Sequence, residues 1–240
     1  MSLRTKIVSI SIFAIAMAFL ETAVVIYMRE LLYPGGFTFP LVPIPADLAI
    51  TEILREAATL IMLLTIAIIS GRTFSQRFAW FLYTFAIWDI FYYVFLKIMI
   101  LWPESLMTWD ILFLIPITWT GPVISPVIVS FTMILLAIVI LYHADRNICT
   151  KINKWEWAGF ILGSLILIFG FIFDYSQYML SHFNLMQILN MKNPEVMQFA
   201  FSYIPMHFPW GIFILGEGII IIAIGLLWTR LLWRTIGHRP

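Results

Sequence analysis

Charged residues are scarce in this chain. They make up only 11% of its 240 residues, whereas 62% are hydrophobic and 17% are aromatic. A soluble domain carries roughly 25% charged residues, so the composition excludes an ordinary soluble protein and indicates a polytopic membrane protein. The net charge is +1 and no basic cluster occurs. We therefore expect no nucleic acid among its partners.

The chain also has only one cysteine and lacks two common catalytic motifs. Cys149 is the single cysteine, so no internal disulfide can form and no disulfide framework holds the fold together. The sequence contains neither H-E-x-x-H nor G-x-S-x-G. Zincin and α/β-hydrolase chemistry therefore have no support.

Long apolar stretches define the fold class. Six of them are long enough to cross about 30 Å of hydrocarbon as helices, which predicts an all-α protein with one six-span membrane domain over residues 1–240. We place the spans near residues 7–32, 47–70, 78–101, 122–143, 156–180 and 209–231. The longer connections are apolar and rich in Pro, Gly and Trp, and we expect them to be partly helical outer loops. In one of them, Asp110 is predicted to cap a short helix.

Basic residues predict the orientation. Ten of the 14 Lys and Arg residues lie on the side of the two termini, and four lie on the other side: Arg29, Arg55, Lys97 and Lys192. Lys and Arg favour the cytoplasmic side of membrane proteins. Both termini are therefore expected in the cytoplasm, with the chain in a membrane such as the bacterial inner membrane. Eleven of the 13 acidic residues lie on the opposite, outer side.

The stretch Ala49–Thr59 carries the most distinctive pattern. Glu52, Arg55 and Glu56 stand at i, i+3 and i+4, so they share one face of the second span. Four other spans carry an acidic residue at comparable outer depth, and two histidines border the same layer; these residues are Glu21, Asp89, Asp174, Glu217, His182 and His207. Ionisable groups within a membrane usually face a protein interior and mark a site. We therefore expect one acidic pocket that opens outward beneath the three apolar loops.

Several carboxylates with one arginine leave an excess of negative charge, which protons, a cation or a partner must neutralise. An enzyme acting on a membrane lipid or isoprenoid by acid–base or metal-assisted chemistry fits this requirement best. Its catalytic candidates are Glu52, Arg55, Glu56, Asp89 and Glu217. The candidate ligands of a divalent metal are Glu21, Glu52, Glu56, Asp174, Glu217, His182 and His207.

Other interpretations remain open at this point. The chain could be a non-catalytic subunit of a larger membrane complex, with its apolar loops covered by partner subunits. A transporter is disfavoured because the inner halves of most spans carry no charge. A haem protein would use His182 and His207 as axial ligands. The Glu52–Arg55–Glu56 group could also be a purely structural ion cluster, and Arg29 a residue that snorkels to the interface.

Overall fold

Six long helices dominate the computed structural model, which describes residues 2–113, 117–189 and 193–237. Each of them is long and apolar enough to cross a membrane, so the predicted all-α, six-span class is confirmed. Lys192, used above for the orientation, lies outside the described residues. The helices are α1 (Leu3–Leu32), α2 (Ala46–Ser70), α3 (Phe74–Ile100), α4 (Ile124–Asp145), α5 (Lys154–Leu180) and α8 (Trp210–Gly237).

Local signals explain where several of these helices begin. The side chain of Ser2 accepts a hydrogen bond from the Thr5 amide at the start of α1, and Thr73 does the same for Gln76 before α3. Asn153 and Glu156 form a reciprocal capping box at the start of α5. These caps satisfy amide groups that the first turn of a helix leaves without partners.

Consecutive long helices run in opposite directions, which gives the bundle two different ends. The terminal end carries the two chain termini and the short connections 71–73 and 146–153. The loop end carries the longer segments 33–45, 101–123 and 181–209. At the terminal end, Arg230 donates to both carboxylate oxygens of the buried Glu156 at 2.7 Å and ties α8 to α5.

Helix packing follows a simple order. α3 lies against α1, α2 and α4, α4 also contacts α8, and α8 packs along α5. The α5–α8 contact is close because glycines face each other: a Cβ on Gly163 would lie 2.9 Å from the Gly216 carbonyl oxygen. Buried side chains such as Trp80, Ile140 and Leu227 fill the centre of the bundle.

Large apolar side chains also cover the outside of the bundle. Ile69, Phe131 and Ile222 are all more than half exposed, as lipid-facing residues of a membrane protein are. α2 is the least buried span: only 17% of its most apolar stretch is buried inside the protein, against 44% for α3 and α4. One wall of the bundle is therefore made by a helix that is held mainly by α3.

The loop end differs from the sequence-based expectation in one segment. Asp110 does not cap a helix; it lies in strand β1 (Trp109–Phe113), which pairs antiparallel with β2 (Trp119–Pro122) and places Asp110 opposite Gly121. Aromatic and β-branched residues such as Trp109, Ile111 and Phe113 favour a strand, and pairing satisfies the backbone groups of a segment that is largely shielded from water. The last long loop is helical in part, with α6 (Leu185–Leu189) and α7 (Pro194–Phe201).

Candidate functional site

A large cavity occupies the loop-end half of the bundle. Its volume is about 780 Å³, and most of the residues that line it are apolar or aromatic. They come from α1 to α5, from the β1–β2 hairpin and from α6 and α7, and the segment 33–45 contributes as well. All three loop-end segments thus take part in enclosing it. We call this space the main cavity.

One ion cluster on the wall of the main cavity joins α1 to α2. Arg55 forms ion pairs with Glu21 of α1 and with Glu52 of its own helix, and its Nε lies 3.0 Å from both Glu52 carboxylate oxygens. The i, i+3 spacing seen in the sequence is therefore a real contact. Glu56 lines the cavity beside them and interacts electrostatically with Arg55. Arg55 thus bridges two acids that lie on different helices.

A second cluster joins α1 to the hairpin. The Arg29 Nη2 atom lies 3.4 Å from Asp110 Oδ1, and the Tyr93 hydroxyl donates to Asp110 Oδ2 at 3.2 Å. The Arg29 guanidinium also stacks on the rings of Trp102 and Phe37, at 3.8 and 4.5 Å from their centroids. This arginine is therefore part of the cavity wall, and the interpretation of Arg29 as a snorkelling surface residue is wrong.

Burial makes the Asp110 carboxyl group a weaker acid than usual. Its side chain is only 3% exposed. This burial raises the pKa of the carboxyl group from 3.8 to about 6, against the opposing effect of Arg29. A carboxyl group with such a pKa can exchange a proton close to neutral pH. The sequence did not single out Asp110 as a site residue; the signal was an acid set among large apolar residues in a loop that returns to the bundle.

Asp89 adds a third polar point to the same wall. Its Oδ2 atom accepts a hydrogen bond from Ser130 of α4 at 2.8 Å, and both residues line the main cavity. Tyr92, one turn further along α3, is close enough to both ion clusters to interact electrostatically with Arg29, Asp110, Glu21 and Arg55. The two clusters are thus neighbours on one surface.

Asp174 does not join this group. Its carboxylate accepts hydrogen bonds from the Tyr203 hydroxyl at 2.8 Å and from the backbone amides of Met206 and His207 at 3.1 and 3.3 Å. These donors anchor the segment that leads into α8. The His182 ring is exposed, bonds to the Ser181 hydroxyl and packs on Phe199. The two histidines therefore lie away from the main cavity.

Glu217 is buried elsewhere. It is 5% exposed, and its Oε2 atom accepts a hydrogen bond from Thr132 of α4 at 2.9 Å. It lines a second cavity of about 170 Å³ rather than the main cavity. The expectation that all the acids share one chamber is therefore wrong for Asp174 and Glu217. It holds for four acids, Glu21, Glu52, Glu56 and Asp89, which Asp110 joins.

The arrangement also bears on the metal hypothesis. Within the described parts of the chain, no three His, Cys, Asp or Glu residues are placed so that they could hold a metal ion. The candidate ligands are dispersed: Glu21 and Glu52 both pair with Arg55, and Asp174 accepts hydrogen bonds from a hydroxyl group and backbone amides. A metal-assisted mechanism therefore has no support from these residues.

Fold and site together define a polytopic helical membrane protein with a mostly apolar cavity that carries ionisable groups on one wall. Comparison with known proteins adds no relationship: the chain matches no family model, no curated protein and no solved structure.

Proposed function

We propose that this protein is an integral membrane enzyme that binds a lipid or isoprenoid in the main cavity and acts on it by acid–base chemistry. The observation that carries the proposal is the combination of size, lining and charge. A cavity of about 780 Å³ falls within the range of small-molecule sites, which are largely apolar with a few precisely placed polar groups. Five carboxyl groups and two guanidinium groups meet that description.

The position of the cavity supports a substrate that arrives from the membrane. α2 forms part of its wall through Ala49, Glu52 and Ile53, and this span buries the smallest share of its surface inside the protein. A lipid or isoprenoid can therefore reach the cavity sideways, between α2 and its neighbours, without crossing water.

Asp110 and Asp89 are the proposed acid–base pair. Asp110 is paired with Arg29, so its carboxylate would stabilise the positive charge that develops on the substrate. Asp89, on the same wall and hydrogen-bonded to Ser130, would give the proton to a double bond or to a leaving oxygen of the substrate. Tyr93 and Arg29 hold the Asp110 carboxyl in place by the contacts described above.

Comparative lipid analysis tests the chemistry. Membranes from cells that express the wild-type protein should contain a lipid species that is absent, or present at a different level, in cells expressing Asp110→Asn. The matched control is Asp47→Asn, because Asp47 is an exposed acid at the start of α2. If the lipid profiles of wild type, Asp110→Asn and empty cells are identical, the catalytic proposal is wrong.

Binding is tested separately with a cavity-filling variant. Ala49 lines the main cavity, whereas Ala58, on the same helix, is exposed on the bundle surface. Mass spectrometry of the purified proteins should find the co-purifying lipid in wild type and in Ala58→Trp, and should find it depleted in Ala49→Trp. Equal lipid content in the two tryptophan variants would contradict binding in this cavity.

Orientation belongs to the same proposal. The terminal end carries basic residues near both chain termini and in both short connections, including Arg4, Arg72, Arg146, Lys151 and Arg234. We propose that this end faces the cytoplasm, in a membrane such as the bacterial inner membrane, so that the main cavity lies in the outer half of the bilayer.

One observation favours a second candidate function, that of a subunit in a larger membrane complex. Apolar side chains of the loop-end segments are exposed beyond the spans; Met186 is 82% and Met206 72% exposed. A partner subunit would cover them. Co-purification of fixed partner proteins under mild extraction would support this function, and a monodisperse single chain that carries a lipid would support the enzyme.

A further inference from the structure

The second cavity is a smaller space beside the main one. Its volume is about 170 Å³, and its lining is apolar except for Glu217, Thr132, Ser164 and the indole of Trp119. We call it the inner chamber. Since one water occupies about 30 Å³ of liquid volume, there is room for a small polar group and a short length of hydrocarbon chain.

Two polar atoms on this chamber have no hydrogen-bond partner among the described residues. They are Oε1 of Glu217 and Nε1 of Trp119, and both atoms are buried. The other Glu217 oxygen is already engaged by Thr132. Leaving a buried donor or acceptor unsatisfied is costly, so a pair of such atoms of opposite kind on one chamber indicates a group that satisfies both.

The inner chamber adjoins the main cavity. Trp119, Val129, Met133 and Phe171 line both spaces, and the rings of Trp119 and Phe171 stack nearly parallel with their centroids 6.0 Å apart. The two spaces therefore share part of their walls. A chain that extends from the main cavity past these shared side chains would reach the inner chamber.

We infer that the inner chamber binds a hydroxyl group at the far end of the ligand whose body fills the main cavity. A hydroxyl group can donate a hydrogen bond to Glu217 Oε1 and accept one from the Trp119 indole N–H. The ligand class is therefore a long-chain molecule with a polar group at both ends. This inference rests on the proposed function and adds the second polar group to it.

The test compares two probes, dodecane-1,12-diol and dodecan-1-ol, on the full-length protein in lipid nanodiscs. The dissociation constant of each is measured from the shift in thermal unfolding as the probe concentration is raised. Wild type should bind the diol roughly tenfold more tightly than the mono-alcohol, the combined effect of two ordinary hydrogen bonds. Both Glu217→Leu and Trp119→Phe should reduce this ratio to about one.

Trp210→Phe is the matched control, because Trp210 lies at the start of α8 and does not line either cavity within the described chain. It should keep the tenfold preference. Trp119→Phe retains an aromatic ring, so it tests the N–H group even if Glu217→Leu does not fold. Equal binding of the two probes by wild type, or an unchanged ratio in both variants, overturns the inference while the amphiphile site stands. If wild type binds neither probe, the proposed function fails as well.

Discussion

The contact between α5 and α8 allows a sharp test of the packing. A methyl group added at Gly163 would lie 2.5 Å from Ile220 Cγ1 and 2.9 Å from the backbone oxygen of Gly216. Carbon atoms in contact lie about 3.5–4.0 Å apart. The Gly216 oxygen belongs to the helix backbone, so it cannot move aside as a flexible side chain would. Gly163→Ala must therefore push the two helices apart.

The magnitude follows from two opposing effects. Overpacking a tight contact costs about 1–3 kcal/mol, whereas replacing a helical glycine by alanine gains up to ~1 kcal/mol of helix propensity. Gly218 provides the control, because a Cβ there would meet nothing within 4 Å. We expect Gly163→Ala to be less stable than Gly218→Ala by about 1–3 kcal/mol.

Reversible unfolding by SDS in mixed micelles, followed by circular dichroism, measures this difference. Gly163→Ala should unfold at lower SDS content than wild type, and Gly218→Ala at the same or higher content. If the two alanine variants unfold together, the helices do not approach each other through these glycines, and the reasoning from the close contact is refuted.

Three further predictions concern charge and topology. The pKa of Asp110 is about 6 in the folded protein and 3.8 in the reference state, so the free energy of unfolding should fall by about 3 kcal/mol as the pH rises from about 4 to 6 and then stay level. Asp110→Asn should lack this fall when unfolding is measured as a function of pH. An unchanged slope in this variant would contradict the raised pKa of Asp110. Arg230→Met should lower the free energy of unfolding by about 3–5 kcal/mol in the SDS titration, because it leaves Glu156 buried without its cation. Arg234→Met is the control and should cost under ~1 kcal/mol, since among the described groups the Arg234 Nη1 atom reaches only an exposed carbonyl. The single, exposed Cys149 lies at the terminal end, so a membrane-impermeant maleimide should label it in inside-out vesicles and not in intact cells; the reverse pattern would invert the proposed orientation.

Hydropathy predicted the helices well because a span must be apolar along its whole length. The predicted span 156–180 corresponds to α5, Lys154–Leu180, and the predicted span 209–231 begins within one residue of α8. The ion pair of Glu52 and Arg55 was also predictable, since both residues lie on one helix and their spacing fixes their shared face.

The arrangement of the acids could not be predicted in the same way. Depth along a helix can be counted from the sequence, but the direction in which a side chain points around the bundle depends on how the helices pack. Glu217 and Asp89 have similar depth and face different cavities for this reason. Helix packing itself left one signal in the sequence: Gly159 and Gly163 stand four residues apart, a spacing typical of close helix contacts in membranes.

The hydrogen bonds that hydroxyl groups make between helices were also not predictable from the sequence. α4 has no charged residue in its apolar stretch, yet Ser130 and Thr132 donate to Asp89 and Glu217. Serine and threonine in a membrane helix commonly bond to their own backbone, so their presence alone does not reveal a partner on another helix.

The ion pair between Glu21 and Arg55 has a consequence for biosynthesis. The two residues are 34 positions apart, so at roughly 5–20 residues per second the ribosome makes Glu21 about 2–7 s before Arg55. During that interval the first span would hold an unpaired acid in the membrane, which costs roughly 2.5–3.5 kcal/mol at the centre of a helix. The first two spans should therefore leave the translocon together as a helical hairpin. Until Arg55 has been synthesised, the first span and its Glu21 side chain would stay at the translocon rather than enter the lipid alone.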